Sequence, residues 1–101
     1  MKKTKLLWTS EALNRLVEIE EYIAQDSETR AQKFTKSIIN STSALTQYPQ
    51  KGRIVPEFNI SGIREIIYKN YRIVYRINKD QIQILTVFEA HRLIRIEEVF
   101  K

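Results

Sequence analysis

The chain has 101 residues, a net charge of +5 and no cysteine, which leaves room for one domain with a modest core and excludes disulfides and thiolate metal sites. No apolar run approaches the length that crosses a membrane. The basic start Met1-Lys2-Lys3-Thr4-Lys5 is followed only by Leu6, Leu7 and Trp8 before polar Thr9 and Ser10, too little for a signal peptide. A single domain over residues 1–101, soluble and cytoplasmic, is the expectation.

Residues 5–8 read as a short strand. Ser10 is a good N-cap with Glu11 in the first turn, and Ala12, Leu16, Ile19 and Ile23 then repeat at helical spacing to about Gln25-Asp26. Ser27 caps a second helix whose apolar stripe is Ala31, Phe34, Ile38, Leu45 and Tyr48, and Pro49 ends it. So short a connection predicts an antiparallel helical hairpin.

After Gly52 the period changes from 3.6 to 2. A loop ending at Glu57 leads into a strand over Ile63–Tyr68. Next, Tyr71, Ile73, Tyr75 and Ile77 alternate with Arg72, Val74 and Arg76 in a half-buried strand. Asn78-Lys79-Asp80 is a turn, and Ile82–Phe88 is apolar enough on both faces to lie inside a sheet. Leu93, Ile96, Val99 and Phe100 suggest a short closing helix. The expected fold is α+β, ordered β-α-α-β-β-β-α, with the helical hairpin packed on a small, mostly antiparallel sheet.

The positive charge is local. Residues 1–50 carry seven Lys/Arg against six acids, and residues 51–76 alone carry six against two. Such an excess suits docking to phosphate, RNA or an acidic protein. Arg72 and Arg76 share a strand face, and Arg64 joins them if the turn around Lys69-Asn70 has three residues, but not if it has two. These arginines either bind a partner or pair with Glu57, Glu65 or Glu89. Tyr68 is the tyrosine most open for base stacking, because Tyr71 and Tyr75 alternate with core isoleucines.

Glu57, Arg72 and His91 form a possible acid–base trio. Cleavage of RNA through the 2′-hydroxyl needs a base, a cation for the phosphorane charge and an acid for the leaving oxygen, and these three residue types suit those roles. The bland alternatives are a salt bridge from Glu57 to Arg53 or Arg64 and a partly exposed helix-cap histidine. A lone histidine makes no usual zinc site and two isolated glycines make no phosphate loop, so no metal or cofactor is expected.

Several segments, in order, resemble the RelE/ParE superfamily of type II toxin–antitoxin toxins. They are Trp8-Thr9-Ser10-Glu11-Ala12, Glu21-Tyr22-Ile23-Ala24, Ala31-Gln32-Lys33-Phe34, Pro49 to Glu57, Gly62-Ile63-Arg64-Glu65, Tyr71 to Tyr75 and Val87 to Arg92. The resemblance covers nearly the whole chain and implies the same β-α-α-β-β-β layout. It also implies a cognate antitoxin, encoded beside the gene, and one of two activities. ParE-like members bind DNA gyrase, whereas RelE-like members cut mRNA in the ribosomal A site. The segments Gly52-Arg53-x-Val55-Pro56-Glu57 and Gly62-Ile63-Arg64-Glu65 look ParE-like, and residues 51–76 hold only Lys51 and Lys69 where the active surface of RelE proper is rich in lysine. Under the nuclease reading Glu57, Arg72 and His91 would be catalytic. Under either reading Arg64, Tyr68, Lys69, Arg76 and Arg92 would meet the target or RNA. A degenerate member that keeps only antitoxin binding is the third possibility.

Overall fold

The computed structural model describes residues 4–99, with the order β1 (Lys5–Trp8), α1 (Ser10–Ala24), α2 (Glu28–Ser43), β2 (Arg53–Ile54), β3 (Ile63–Tyr68), β4 (Tyr71–Asn78), β5 (Gln81–Glu89) and α3 (Ile96–Val99). A 3-10 turn over Ala44–Thr46 extends α2. The strands form one sheet in the order β1-β5-β4-β3-β2; β1 runs parallel to β5 and every other pair is antiparallel.

The helical hairpin covers one sheet face. Ala12 and Leu16 of α1 and Phe34 and Ile38 of α2 meet Ile73, Tyr75, Ile82, Ile84 and Val87 of the sheet, with Leu45 closing the end. The Phe34 ring packs edge-on against Tyr71 at 5.1 Å and tilted against Tyr68 at 5.9 Å, seating α2 on the β3–β4 turn. A second, smaller core lies on the other face, where Val55, Ile63, Val74, Leu85 and Phe88 are covered by Ile94 and Val99. Both faces of β4 and β5 are therefore buried, which explains the near-continuous apolar run of β5. An irregularity between Val74 and Tyr75 leaves Leu85 as the extra residue on β5, switching which side chains face the hairpin.

Four details differ from the sequence reading. Thr9, not Ser10, caps α1. Its Oγ1 accepts from the Ala12 amide at 3.2 Å, and its hydroxyl donates to the Ile84 carbonyl at 2.8 Å. The cap thus ties α1 to a strand 75 residues away. Ser27 caps α2 as expected, accepting from the Arg30 amide. Tyr48 is exposed rather than part of the α2 stripe, because the chain tightens after Ser43 and rotates it away; Thr42 is buried there instead. The segment expected to be loop up to Glu57 contains β2, two residues long, pairing Arg53 with Glu65 and Ile54 with Arg64. Leu93, assigned to the closing helix, stands exposed ahead of α3, and Phe100 lies outside the described residues.

Candidate functional site

The β3–β4 turn has two residues, Lys69 and Asn70, since Tyr68 pairs directly with Tyr71. Lys69 has φ 52°, a left-handed conformation that only a few per cent of non-glycine residues adopt. This register decides the arginines. Arg64 lies opposite Tyr75 on the hairpin face, whereas Arg72 and Arg76 lie on the other. Arg64 Nη1 donates to the Gly52 carbonyl at 2.9 Å, while Arg76 stands exposed. Gly52 is gripped from both sides. Its amide donates to the Tyr75 hydroxyl at 2.9 Å, and that hydroxyl donates to the Pro49 carbonyl at 2.7 Å. Burial raises the Tyr75 phenol pKa, so it stays neutral and able to donate.

Arg72 is only 4% exposed. Its Nη1 and Nη2 meet the two Glu57 oxygens at 2.7 and 2.8 Å, a bidentate pair, and its Nε donates to Glu65 at 2.6 Å. The other Glu65 oxygen takes Arg53 Nε at 2.6 Å, so the buried Glu65 carboxylate is shared by two guanidiniums. Nη1 also donates to the Arg92 carbonyl at 2.9 Å, and the Ile94 amide donates to Glu57 at 3.0 Å. The network pins the loop after β2 and the segment after β5 onto the middle of the sheet. Hydrogen bonds from Arg72, then from the Ile94 amide, outweigh desolvation and lower the Glu57 pKa to about 2. The same pairing, with Glu57 foremost, holds Arg72 charged at any pH the fold experiences.

Of the proposed trio, the fold brings Glu57 and Arg72 together. His91 points elsewhere: it lies in the turn after β5, its side chain 81% exposed, with Nε2 3.3 Å from Glu89. Tyr68 is half-buried in the hairpin-side core, with Lys69 Nζ 5.7 Å from its ring centroid. Arg92 stacks its guanidinium over Phe88 at 4.8 Å. The sequence reading named Glu65 only as one possible arginine partner; the structure makes it the hub between Arg53 and Arg72. Glu57 and Glu65 are the only acids among residues 51–76, against six cations, so each was bound to be contested.

A second feature is an open cleft of about 780 Å³ between α1 and the far end of β5. Arg15, Glu18, Ile19 and Tyr22 form one wall, and Asn70, Tyr71 and Val87 to Arg92 the rest. Arg15 pairs with Glu11 at 2.9 Å and also lies over Phe88, at 5.3 Å. Burial, then Glu89 and Tyr22, raise the Tyr71 pKa. The described residues hold no cluster of three or more His, Cys, Asp or Glu suited to a metal, and no described helix is long and apolar enough to cross a membrane.

This arrangement of a helical hairpin on a five-stranded mixed sheet is that of solved toxin–antitoxin proteins. It superposes on a chain of the chromosomal ParDE system of P. aeruginosa with a TM-score of 0.74 at 23% identity, covering 88% of this chain and 98% of that one. It also matches a chain of the RelBE2 toxin–antitoxin complex of Mycobacterium tuberculosis, with a TM-score of 0.62 at 18% identity, covering 86% and 98%. The fold is thus the one that these two chains share. Residues 6–94 match the ParE toxin of the type II toxin–antitoxin system parDE, and the chain belongs to that family of toxins. Among relatives, it is 37% identical to Y4kP of Sinorhizobium fredii, which bears a toxin designation, over 91% of this chain and 94% of that one. It is 29% identical to toxin RelE2 of Caulobacter vibrioides over 88% and 98%.

Proposed function

We propose that this toxin arrests growth as a binding module that grips a protein target, DNA gyrase being the first candidate, and that it does so without RNA-cleaving chemistry at Glu57, Arg72 and His91. The supporting observation is the mutual ligation of Glu57 and Arg72. A general base works best with a pKa near the operating pH, whereas Glu57 sits at about 2 with both oxygens taken by one guanidinium. Arg72 spends its fork on two carboxylates and a carbonyl beneath the segment after β5, rather than facing a phosphate. The network reads as a structural brace.

The partner that neutralises the toxin is a cognate antitoxin, and the hairpin offers it a seat in the cytoplasm where both are made. Thr35 of α2 donates a hydrogen bond to Glu20 of α1, which fixes how the helices face each other. Leu13 and Val17 lie on the same stripe of α1 as Glu20, and Ile39 is one turn from Thr35. These three apolar side chains border the seam and are exposed, as suits an amphipathic helix laid along it.

Controlled expression in bacteria tests the reading. Filamentation, a DNA-damage response and loss of supercoiling activity are expected, with His91→Gln as toxic as the parent. Prompt loss of translation with codon-phased mRNA breaks, abolished by His91→Gln at unchanged melting temperature, would instead establish the ribosome-dependent nuclease. Absence of any growth defect would leave a degenerate member that only binds antitoxin.

A further inference from the structure

We infer that the cleft between α1 and the end of β5, which His91 and Arg92 line, together with Leu93 next to them in the chain, is the surface that takes the protein target, separate from the hairpin seam. This inference rests on the binding-module reading above and names the site through which it acts.

The turn after β5 is held at every second residue, Ala90, Arg92 and Ile94. The Ala90 amide donates to the Asn70 carbonyl at 2.6 Å and the Arg92 amide to the Glu89 carbonyl at 3.0 Å. The Arg92 carbonyl and the Ile94 amide bind Arg72 and Glu57, and the Ile94 side chain is buried in the smaller core. Leu93, between those last two anchors, is nevertheless 79% exposed. On a loose loop a leucine could fold back onto the protein. Here the buried ion network fixes the backbone on both sides and keeps the side chain in water. A preset apolar group of this kind loses little conformational freedom when a partner covers it.

The opposite wall repeats the pattern. Tyr22 stands on the cleft flank of α1, 66% exposed, as a large aromatic with a polar tip. Tyrosine is among the residues over-represented as interface anchors. Between the walls, β1 pairs with β5 only along Gln81–Ile84, so among the described residues the edge from Leu85 to Glu89 has no strand partner. Leu85 to Phe88 along it are nonetheless buried, so a target meets the side chains of the cleft walls rather than this main chain.

The charges favour protein over nucleic acid. Arg15, His91 and Arg92 line the cleft together with Glu18 and Glu89. A phosphate backbone would meet two carboxylates, whereas a protein surface of alternating sign can answer both sets. The arginines that give residues 51–76 their basic excess do not line the cleft. The two docking surfaces are also distinct. Arg15, Glu18 and Tyr22 share one flank of α1, and Leu13, Val17 and Glu20 share the other.

The test uses full-length Leu93→Ala, Leu93→Asp and Tyr22→Ala toxins. Each is expressed from a tightly controlled promoter to score survival, then purified for melting temperature and for affinity to the antitoxin from the adjacent gene. Because interface anchors dominate binding, survival on induction should rise by at least about a hundredfold for Leu93→Asp and at least about tenfold for each alanine variant. Melting temperatures and antitoxin affinity should stay near the parent's, since the side chains are exposed and off the seam. Undiminished toxicity of Leu93→Asp would overturn the inference. So would antitoxin affinity falling in step with toxicity, which would make the cleft an antitoxin site. So would a parent that cuts ribosomal mRNA at a rate Leu93→Asp leaves unchanged. If purified parent toxin leaves gyrase supercoiling untouched while Leu93→Asp loses toxicity, the docking surface stands and gyrase falls as the target.

Discussion

Replacing Glu57 by glutamine keeps the size of the side chain and removes the charge that Arg72 grips. The amide retains one oxygen, so it can accept one hydrogen bond from Arg72 while its NH₂ faces donors. Arg72, 4% exposed, is left with the shared Glu65 carboxylate as its counter-charge. Breaking a buried pair in this way costs about 3–5 kcal/mol. An independent route gives a similar size. The Glu57 pKa falls from 4.5 to about 2, and at about 1.4 kcal/mol per unit that is at most about 3.5 kcal/mol. A carboxyl group with a depressed folded pKa stabilises fully above its unfolded pKa, and the contribution fades as pH falls through the folded one. The difference between parent and Glu57→Gln, measured by urea unfolding, should therefore be about 3 kcal/mol at pH 7, shrink below pH 4.5, and approach its minimum near pH 2. Carboxylates away from Arg72 contribute equally to both proteins and drop out of the difference. A difference that is small at pH 7, or constant from pH 7 to pH 2.5, would refute the claim that this pair braces the fold.

The remaining predictions concern the same framework. A Cβ on Gly52 would sit 2.4 Å from the Glu65 carbonyl oxygen and 2.8 Å from the Tyr75 hydroxyl, so Gly52→Ala should cost at least about 2 kcal/mol in chemical denaturation. Gly62→Ala, whose nearest neighbour is the Ile77 carbonyl oxygen at 3.7 Å, should leave stability within about 1 kcal/mol of the parent. Tyr75→Phe removes the partner of the Gly52 amide and the donor to Pro49, and should lose about 1–3 kcal/mol while keeping the circular-dichroism spectrum. Arg72→Lys should be destabilised nearly as much as Glu57→Gln, because an ammonium cannot meet Glu57, Glu65 and the Arg92 carbonyl together. Val17→Asp on the hairpin seam should weaken antitoxin capture by at least about tenfold in calorimetry, the size expected when a charge replaces an apolar contact at an interface.

The fold was legible wherever local pattern and long-range packing agree. The stripes Ala12–Leu16 and Phe34–Ile38, the change of period after Gly52 and the apolar run of β5 each reflect one element buried against the sheet. What escaped the sequence depends on distant partners. The choice of Thr9 over Ser10 as cap is settled by the hydroxyl's bond to Ile84, and β2 exists because Arg53 and Ile54 find Glu65 and Arg64. Arg64 parted from Arg72 and Arg76 because the tight turn uses Lys69 at positive φ, where no glycine signals it. At the site, pairing of the strand arginines with Glu57 or Glu65 was foreseeable from the scarcity of acids. The divergence of His91 from that pair was not, since it follows from the turn geometry after β5.

The parallel seam between Lys5–Trp8 and Gln81–Ile84 sets when this toxin can exist. The helical hairpin is complete by Ser43, but the strands on which its apolar stripe rests are β4 and β5, the last to be synthesised. At 5–20 residues per second the ribosome needs roughly 2–9 s to travel from Ser43 to Glu89. Throughout that interval the hairpin has no sheet, Thr9 has no carbonyl to bind and Arg72 has no lid. A chain interrupted between Ser43 and Gln81 carries both helices but not the β5 wall of the cleft. The β5 wall of the cleft and the carbonyl that caps Arg72 therefore enter the fold only after both helices and four strands have been made.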